Sequence, residues 1–237
     1  MVEELMTKPT VSLPDGTALV RHDHTVELGD LAIIHNGTYS HLTTMNDPAV
    51  IAYSPTWLHI RSLQSSELDG YRTVIIADRM HPELLRTHAA SFKAVAERGD
   101  TLVVLGINAV ETWLDGISHR DAPTNFWWWS TGEDPGIRPV TPEHEAWRFL
   151  SPKSVIWHQH GSFKADHPIT SLIELEEPNT DGSWSNYGSI LFEDTDSTPG
   201  RIIVTSLDPI FHHGSNFMPG ATRFLYALLR WVAAIKN

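Results

Sequence analysis

Four short apolar runs limit what this chain can fold into. They are Leu31-Ala32-Ile33-Ile34, Thr73-Val74-Ile75-Ile76-Ala77, Thr101-Leu102-Val103-Val104-Leu105 and Arg201-Ile202-Ile203-Val204-Thr205. Each is rich in β-branched residues, and continuous apolar runs of this length suit strands buried on both faces. Each stops at a polar turn: His35-Asn36-Gly37, Asp78-Arg79, Gly106-Ile107-Asn108, and the stretch from Ser206 to Asn216. His81-Pro82-Glu83 then opens a helix to about Arg98, with proline at its first position and an acid in its first turn. Gly99 ends it as a C-cap. Residues 109–114 read as a second helix. The last helix runs from Pro219 to about Ile235, with Phe224, Leu225, Leu228, Leu229 and Val232 along one face.

Strands alternating with helices imply parallel pairing through right-handed crossovers. The fold class is therefore α/β, a flavodoxin-like three-layer fold. A mostly parallel central sheet carries β-hairpin additions. One domain spanning 1–237 is expected. The additions are a hairpin over 10–22 around Pro14-Asp15-Gly16, a strand over 170–176, and strand 189–193 pairing with 201–206. Thr38 to Asp47 reads as a loop, Trp57 to Arg61 as a strand, and 141–150 as a short helix opened by Thr141-Pro142-Glu143. Ser154 to Trp157 reads as a strand, and 177–188 as a polar hairpin loop.

The chain has no cysteine, which removes disulfides, thiolate metal sites and cysteine nucleophiles together. This fits a reducing compartment, and with no signal peptide visible at MVEELMTKPT the expected location is cytoplasmic. The formal net charge of −12 comes without basic clusters, so neither nucleic acid nor an anionic membrane surface is an expected partner. No apolar run approaches the ~18–20 residues of a membrane span. The unusual entries are fourteen histidines and nine tryptophans. Tryptophan-rich walls serve cores, subunit interfaces and sugar-stacking surfaces, so a homo-oligomer is compatible with the sequence.

Ligands in open α/β sheets sit beyond the carboxyl ends of the strands, so polar residues there are the candidates. His158 and His160, at i and i+2 on a strand, would face one pocket and suit a metal or a proton donor and acceptor. His212 and His213 follow the last strand, with Asp208 placed to orient one imidazole. These five are the candidate catalytic residues, and His158, His160 and His212 the candidate ligands for a divalent metal. His35, Asn36, Asp78, Arg79 and Asn108 end parallel strands and should meet at one rim. Ser215 and Asn216 lie where backbone donors precede a helix. Trp128, in the run Phe126-Trp127-Trp128-Trp129, could stack on a sugar, with Trp113 and Trp157 nearby. The bland alternatives are turn caps, satisfied core histidines, solvated strand-end acids at Glu193 and Asp194, and a tryptophan lid.

Two segments together resemble a known group. Tyr71 to Leu114 contains a strand, a helix, GDTLVVLG and a turn into a helix. Gly188 to Trp231 contains a hairpin, LDPIFHHG and a helix. Their order resembles the class I glutamine amidotransferase-like superfamily and, within it, the ThuA-like (trehalose-utilisation type) proteins. In the amidotransferases a cysteine occupies the turn that here reads Gly106-Ile107-Asn108-Ala109, so the resemblance implies the scaffold without the glutaminase. The favoured reading is an enzyme acting on a small polar, carbohydrate-like metabolite through a histidine-rich pocket. The alternatives are a non-catalytic small-molecule-binding or assembly protein, and a structural dimer sealed by tryptophans.

Overall fold

The buried runs become the strands of one sheet, and where their carboxyl ends meet sets the position of the site. The computed structural model describes residues 30–122 and 127–235. In chain order they form β1 (Leu31–His35), α1 (Tyr39–Met45), α2 (Pro48–Ile51), β2 (Thr56–His59), β3 (Thr73–Ile76), α3 (Pro82–Glu97) and β4 (Thr101–Leu105). Then come β5 (Ile117–Arg120), α4 (Trp128–Thr131), β6 (Ile137–Pro139), α5 (Pro152–Val155), β7 (Ser162–Ala165) and β8 (Thr170–Pro178). The chain closes with β9 (Trp184–Asp194), β10 (Arg201–Thr205), α6 (Pro209–Gly214) and α7 (Pro219–Ala234).

The fold is a three-layer α/β arrangement around this sheet. Its core runs β2-β1-β3-β4-β10, all parallel, the order of flavodoxin-like folds. Ile33, Ile75, Val103 and Ile203 lie side by side on one face, and Ile34, Ile76, Val104 and Val204 on the other, so β-branched side chains fill both faces of the centre. β9 then pairs antiparallel with β10 and β8, and extends the sheet to β7 and β5. β8 and β9, with β10, are the additions expected over 170–176 and 189–206, whereas β5, β6 and β7 are strands the sequence does not announce. The loop expected over 177–188 is short, because β8 and β9 stay paired out to Pro178 and Trp184. The hairpin expected over 10–22 lies outside the described residues.

Several local expectations fail for physical reasons. Thr38 to Asp47 is not a loop: α1 occupies most of it, burying Ser40, His41 and Thr44. Its inward face is polar, so no apolar stripe announces it. Gly214 of α6 explains the close approach there, since a Cβ on it would run into the Ser40 backbone. Ser154 to Trp157 is not a strand. Ser151 caps α5, Pro152 occupies its first turn, and Ser151 and Ser154 exchange a capping box. Residues 109–114 shorten to a 3-10 turn at Val110–Thr112, and 141–150 to another at Glu145–Arg148 capped by His144. Among the described residues no helix is long and apolar enough to cross a membrane.

Candidate functional site

The polar turns after β3, β4 and β10 share one rim. Between them opens a cleft of about 330 Å3 lined by Arg79, Met80, Gly106, Asn108, His160 and Asp208, among others. Gly106 makes room for this junction. Its φ is +72°, and a Cβ there would stand 2.9 Å from the Asp78 Cβ.

Asp208 is the hub. It stands at the N-cap of α6, yet its side chain does not cap that helix. The fully buried Asp78 does so from β3's end, accepting from the backbone N–H of Ile210 at 2.7 Å and of Phe211 at 3.0 Å. Asp208 is thereby free for side-chain partners. Its Oδ2 accepts from Arg79 Nε at 2.8 Å, and Arg79 Nη2 lies 2.7 Å from the same oxygen. His160 Nε2 lies 3.1 Å from Oδ2, and His212 Nε2 3.2 Å from Oδ1. His158 completes the group, with its Nε2 3.1 Å from His160 Nε2. Its ring centroid is 4.9 Å from that of His212.

The supporting shell is fixed. Arg79 has a left-handed φ of 55°, uncommon for a residue with a side chain. Asn36 Nδ2 donates to its carbonyl at 3.0 Å, and its guanidinium carbon sits 3.5 Å from the Phe211 ring centre. Asn108 spends its amide on the strand ends, donating to Ala77 and Leu105 carbonyls at 2.8 Å and accepting from Met80 N–H at 2.9 Å. Trp157 meets His212 edge-on at 5.9 Å, with its indole N–H donated to the Ser154 carbonyl.

Burial, then the neighbouring His160 and His212, push the His158 pKa down from 6.5 to about 4, so this imidazole is neutral near pH 7. Burial alone would raise the Asp208 carboxyl. Its contacts with His160 and His212 outweigh that and hold it below the usual carboxylate range. Asp78 is pushed up, chiefly by burial and against its contact with His41.

The structure thus brings together His158, His160, Asp208 and His212, with Arg79 and Asn108 at the cleft. The His-x-His pair meets for a different reason from the one expected: both residues lie in a coil after α5, not on a strand. His213 is not brought in. Adjacent residues on a helix point about 100° apart, and His213 is fully buried with Nε2 2.9 Å from Asp47 Oδ2 and Nδ1 2.9 Å from Thr222 Oγ1. Ser215 donates to the Phe211 carbonyl at 2.6 Å and closes α6, next to Asn216 in the left-handed region. Neither lines the cleft. Trp128 is half-buried between the exposed Trp127 and Trp129, also away from the cleft lining. Phe126 lies outside the described residues. Glu193 pairs with Arg201 and His144, and Asp194 caps its turn at Asp196 and Ser197 and meets His167.

His35 stands apart, edge-on to Trp57 and His59 at the end of β1. Burial, then the neighbouring His59 and His41, push its pKa from 6.5 to about 4. An unfolded chain takes up this proton where the folded one does not. The associated stability is complete above pH 6.5 and is lost as the pH falls toward 4. At about 1.4 kcal/mol per pH unit, this group should cost about 2–3 kcal/mol across that window. Urea unfolding at several pH values should show a shallower acid limb in His35→Gln. Parallel profiles for the two proteins would refute this account. His41 carries no signal in the sequence because its segment reads as a loop, yet its Nε2 lies 3.1 Å from the Asp78 carbonyl oxygen.

No protein-family profile and no curated protein matches the sequence. Solved structures do resemble the fold. Two cytoplasmic proteins from Salmonella typhimurium align with TM-scores of 0.50. They are 11% and 12% identical, covering 86% and 85% of this chain and 99% and 98% of their own. A Thermoplasma acidophilum protein, provisionally named as one of the subunits of GMP synthase, aligns at 13% identity and TM-score 0.48, over 86% of this chain and 96% of its own. At these identities the likeness to the Salmonella proteins concerns the fold alone.

Proposed function

We propose that this chain is an enzyme acting on a small, polar, negatively charged metabolite held in the cleft between the ends of β3, β4 and β10. One observation carries the reading: His160 and Asp208 line the same cleft as Arg79, whose guanidinium holds the carboxylate that also faces His160. Arg79 supplies the positive charge in a wall otherwise short of it, and a planar guanidinium matches a carboxylate or phosphate. His160 is the proton-carrying group. Its Nε2 lies 3.1 Å from both His158 Nε2 and Asp208 Oδ2, so one proton on that atom serves one partner at a time. Asp208 fixes the ring, while His158, neutral near pH 7, can accept. The substrate's carbohydrate character rests on Trp128, and the cleft lining offers that expectation no support.

With no cysteine in the chain, hydrolysis of glutamine through a cysteinyl thioester is not its reaction. Kinship with the ThuA-like proteins and a cytoplasmic location belong to the same proposal. The test is a panel of small hydroxy acids, sugar acids and sugar phosphates set against their neutral polyol counterparts. Binding is followed by calorimetry and turnover by mass spectrometry. Arg79→Gln should weaken anion binding about 10–100-fold, as expected for a charge-assisted hydrogen bond. His160→Gln should abolish turnover while changing binding far less. Neutral polyols bound as tightly as the acids would defeat the proposal.

A further inference from the structure

We propose that His158, His160, His212 and Asp208 together bind one divalent transition-metal ion of the zinc class. One donor atom from each lies within 4.8 Å of all the others. Tetrahedral zinc, with bonds of about 2.0–2.1 Å, spaces its donors about 3.3 Å apart. The His158–His160 separation is 3.1 Å and His212 stands 3.2 Å from Asp208 Oδ1, while His160 lies 3.1 Å from the other oxygen, Oδ2, so Oδ1 and the three imidazoles are the donors that must draw together. The remaining pairs close with side-chain shifts of about an ångström, a small change for residues on a coil and a short helix. Three imidazoles and a carboxylate suit zinc, cobalt, iron or manganese, while magnesium and calcium prefer oxygen throughout.

A second observation points to the same ion. His212 and Asp208 are both buried, and Asp208 Oδ1, His212 Nδ1 and His212 Nε2 have no hydrogen-bond partner. His212 Nε2 and Asp208 Oδ1 face one another at 3.2 Å without hydrogen-bonding geometry. Two buried polar atoms left in this way are costly, and a cation between them would satisfy both. The mutual approach of the His158 and His160 Nε2 atoms fits too, since two imidazole lone pairs converge readily on a cation. Arg79 does not occupy the ion's place. It holds Oδ2, orienting the carboxylate as outer partners of metal ligands commonly do.

This inference rests on the cleft being the working site and gives His160 Nε2 a metal bond in place of the proton it holds in the metal-free form; its test uses metal alone. The purified chain is stripped with a chelator, reloaded with Co2+ or Zn2+, and read by visible absorption and metal-to-protein ratio. One ion per chain is expected, with the ligand-field bands of cobalt bound to nitrogen. His158→Ala combined with His212→Ala should weaken binding by more than about 100-fold, beyond the usual effect of losing an outer partner. His88→Gln on α3 should leave binding unchanged. If the double variant does not fold, His158→Gln in the half-buried coil replaces it, and the wild-type cobalt spectrum stands without any variant. A wild-type protein that takes up no ion, or a variant that binds as well as wild type, would overturn the site. A metal-free protein that still binds anions through Arg79 would do so while leaving the proposed function in place.

Discussion

Asp208→Asn is expected to disable the site more completely than any other single change. The carboxylate is 2% exposed and faces a guanidinium and two imidazoles. Asparagine keeps its volume, but it offers one carbonyl oxygen in place of two charged ones and turns an N–H2 group toward donors. Removing one partner of a buried ion pair costs about 3–5 kcal/mol, because the other charge is left without its counterpart. Arg79 is 44% exposed and can turn toward water, which moves the expected loss of stability to about 2–4 kcal/mol. Function should suffer more. His160 loses the group that fixes its ring, and any cation loses its only anionic ligand in the cluster. Turnover should fall at least about a hundredfold, in line with the contribution of positioned acid–base groups. Urea unfolding and metal uptake can be measured on the same preparation. An Asp208→Asn protein as stable and as metal-competent as wild type would show that the hub is not where the geometry puts it.

The parallel core is legible in the sequence because a strand buried on both faces is a continuous apolar run, and β1, β3, β4 and β10 are such runs. The strand-end rule sets His35, Asn36, Asp78, Arg79 and Asn108 at one rim; Arg79 and Asn108 line the cleft, while His35 stands apart beside Trp57 and His59. What cannot be read is the use each side chain makes of its position. Asp78 and Asp208 both follow a buried strand, and the sequence offers Asp208 two uses, orienting an imidazole or capping the turn at Pro209. Instead the cap comes from Asp78, far away in sequence, and this exchange frees Asp208 for Arg79 and His160. Hydrogen bonds between distant segments leave no periodic trace. α1 is hidden for a related reason: its buried face is Ser40, His41 and Thr44, which no hydrophobic pattern marks. The 158–160 pair shows the opposite case, where an incorrect strand assignment still names two imidazoles that meet.

His213→Ala is expected to cost stability and leave the site's chemistry intact, the converse of a change at His160. His213 is completely buried, 2.9 Å from Asp47 Oδ2 on one side and from Thr222 Oγ1 on the other. Asp47 also accepts from the Tyr226 hydroxyl at 2.9 Å and from the Ala49 N–H at 2.7 Å. The group joins the start of α2 to α6 and α7 through polar contacts. Truncation leaves a cavity and a buried carboxylate short of one partner, which together cost about 3–5 kcal/mol. His213→Gln should recover part of this, because its amide can reach one of the two partners. Folded molecules of either variant should still bind ion and anion, since His212 leaves α6 about 100° round from His213, toward Asp208. Equilibrium unfolding and cobalt titration separate the two effects. Loss of cobalt binding at native-like stability would place His213 among the ligands and contradict its burial against Asp47 and Thr222.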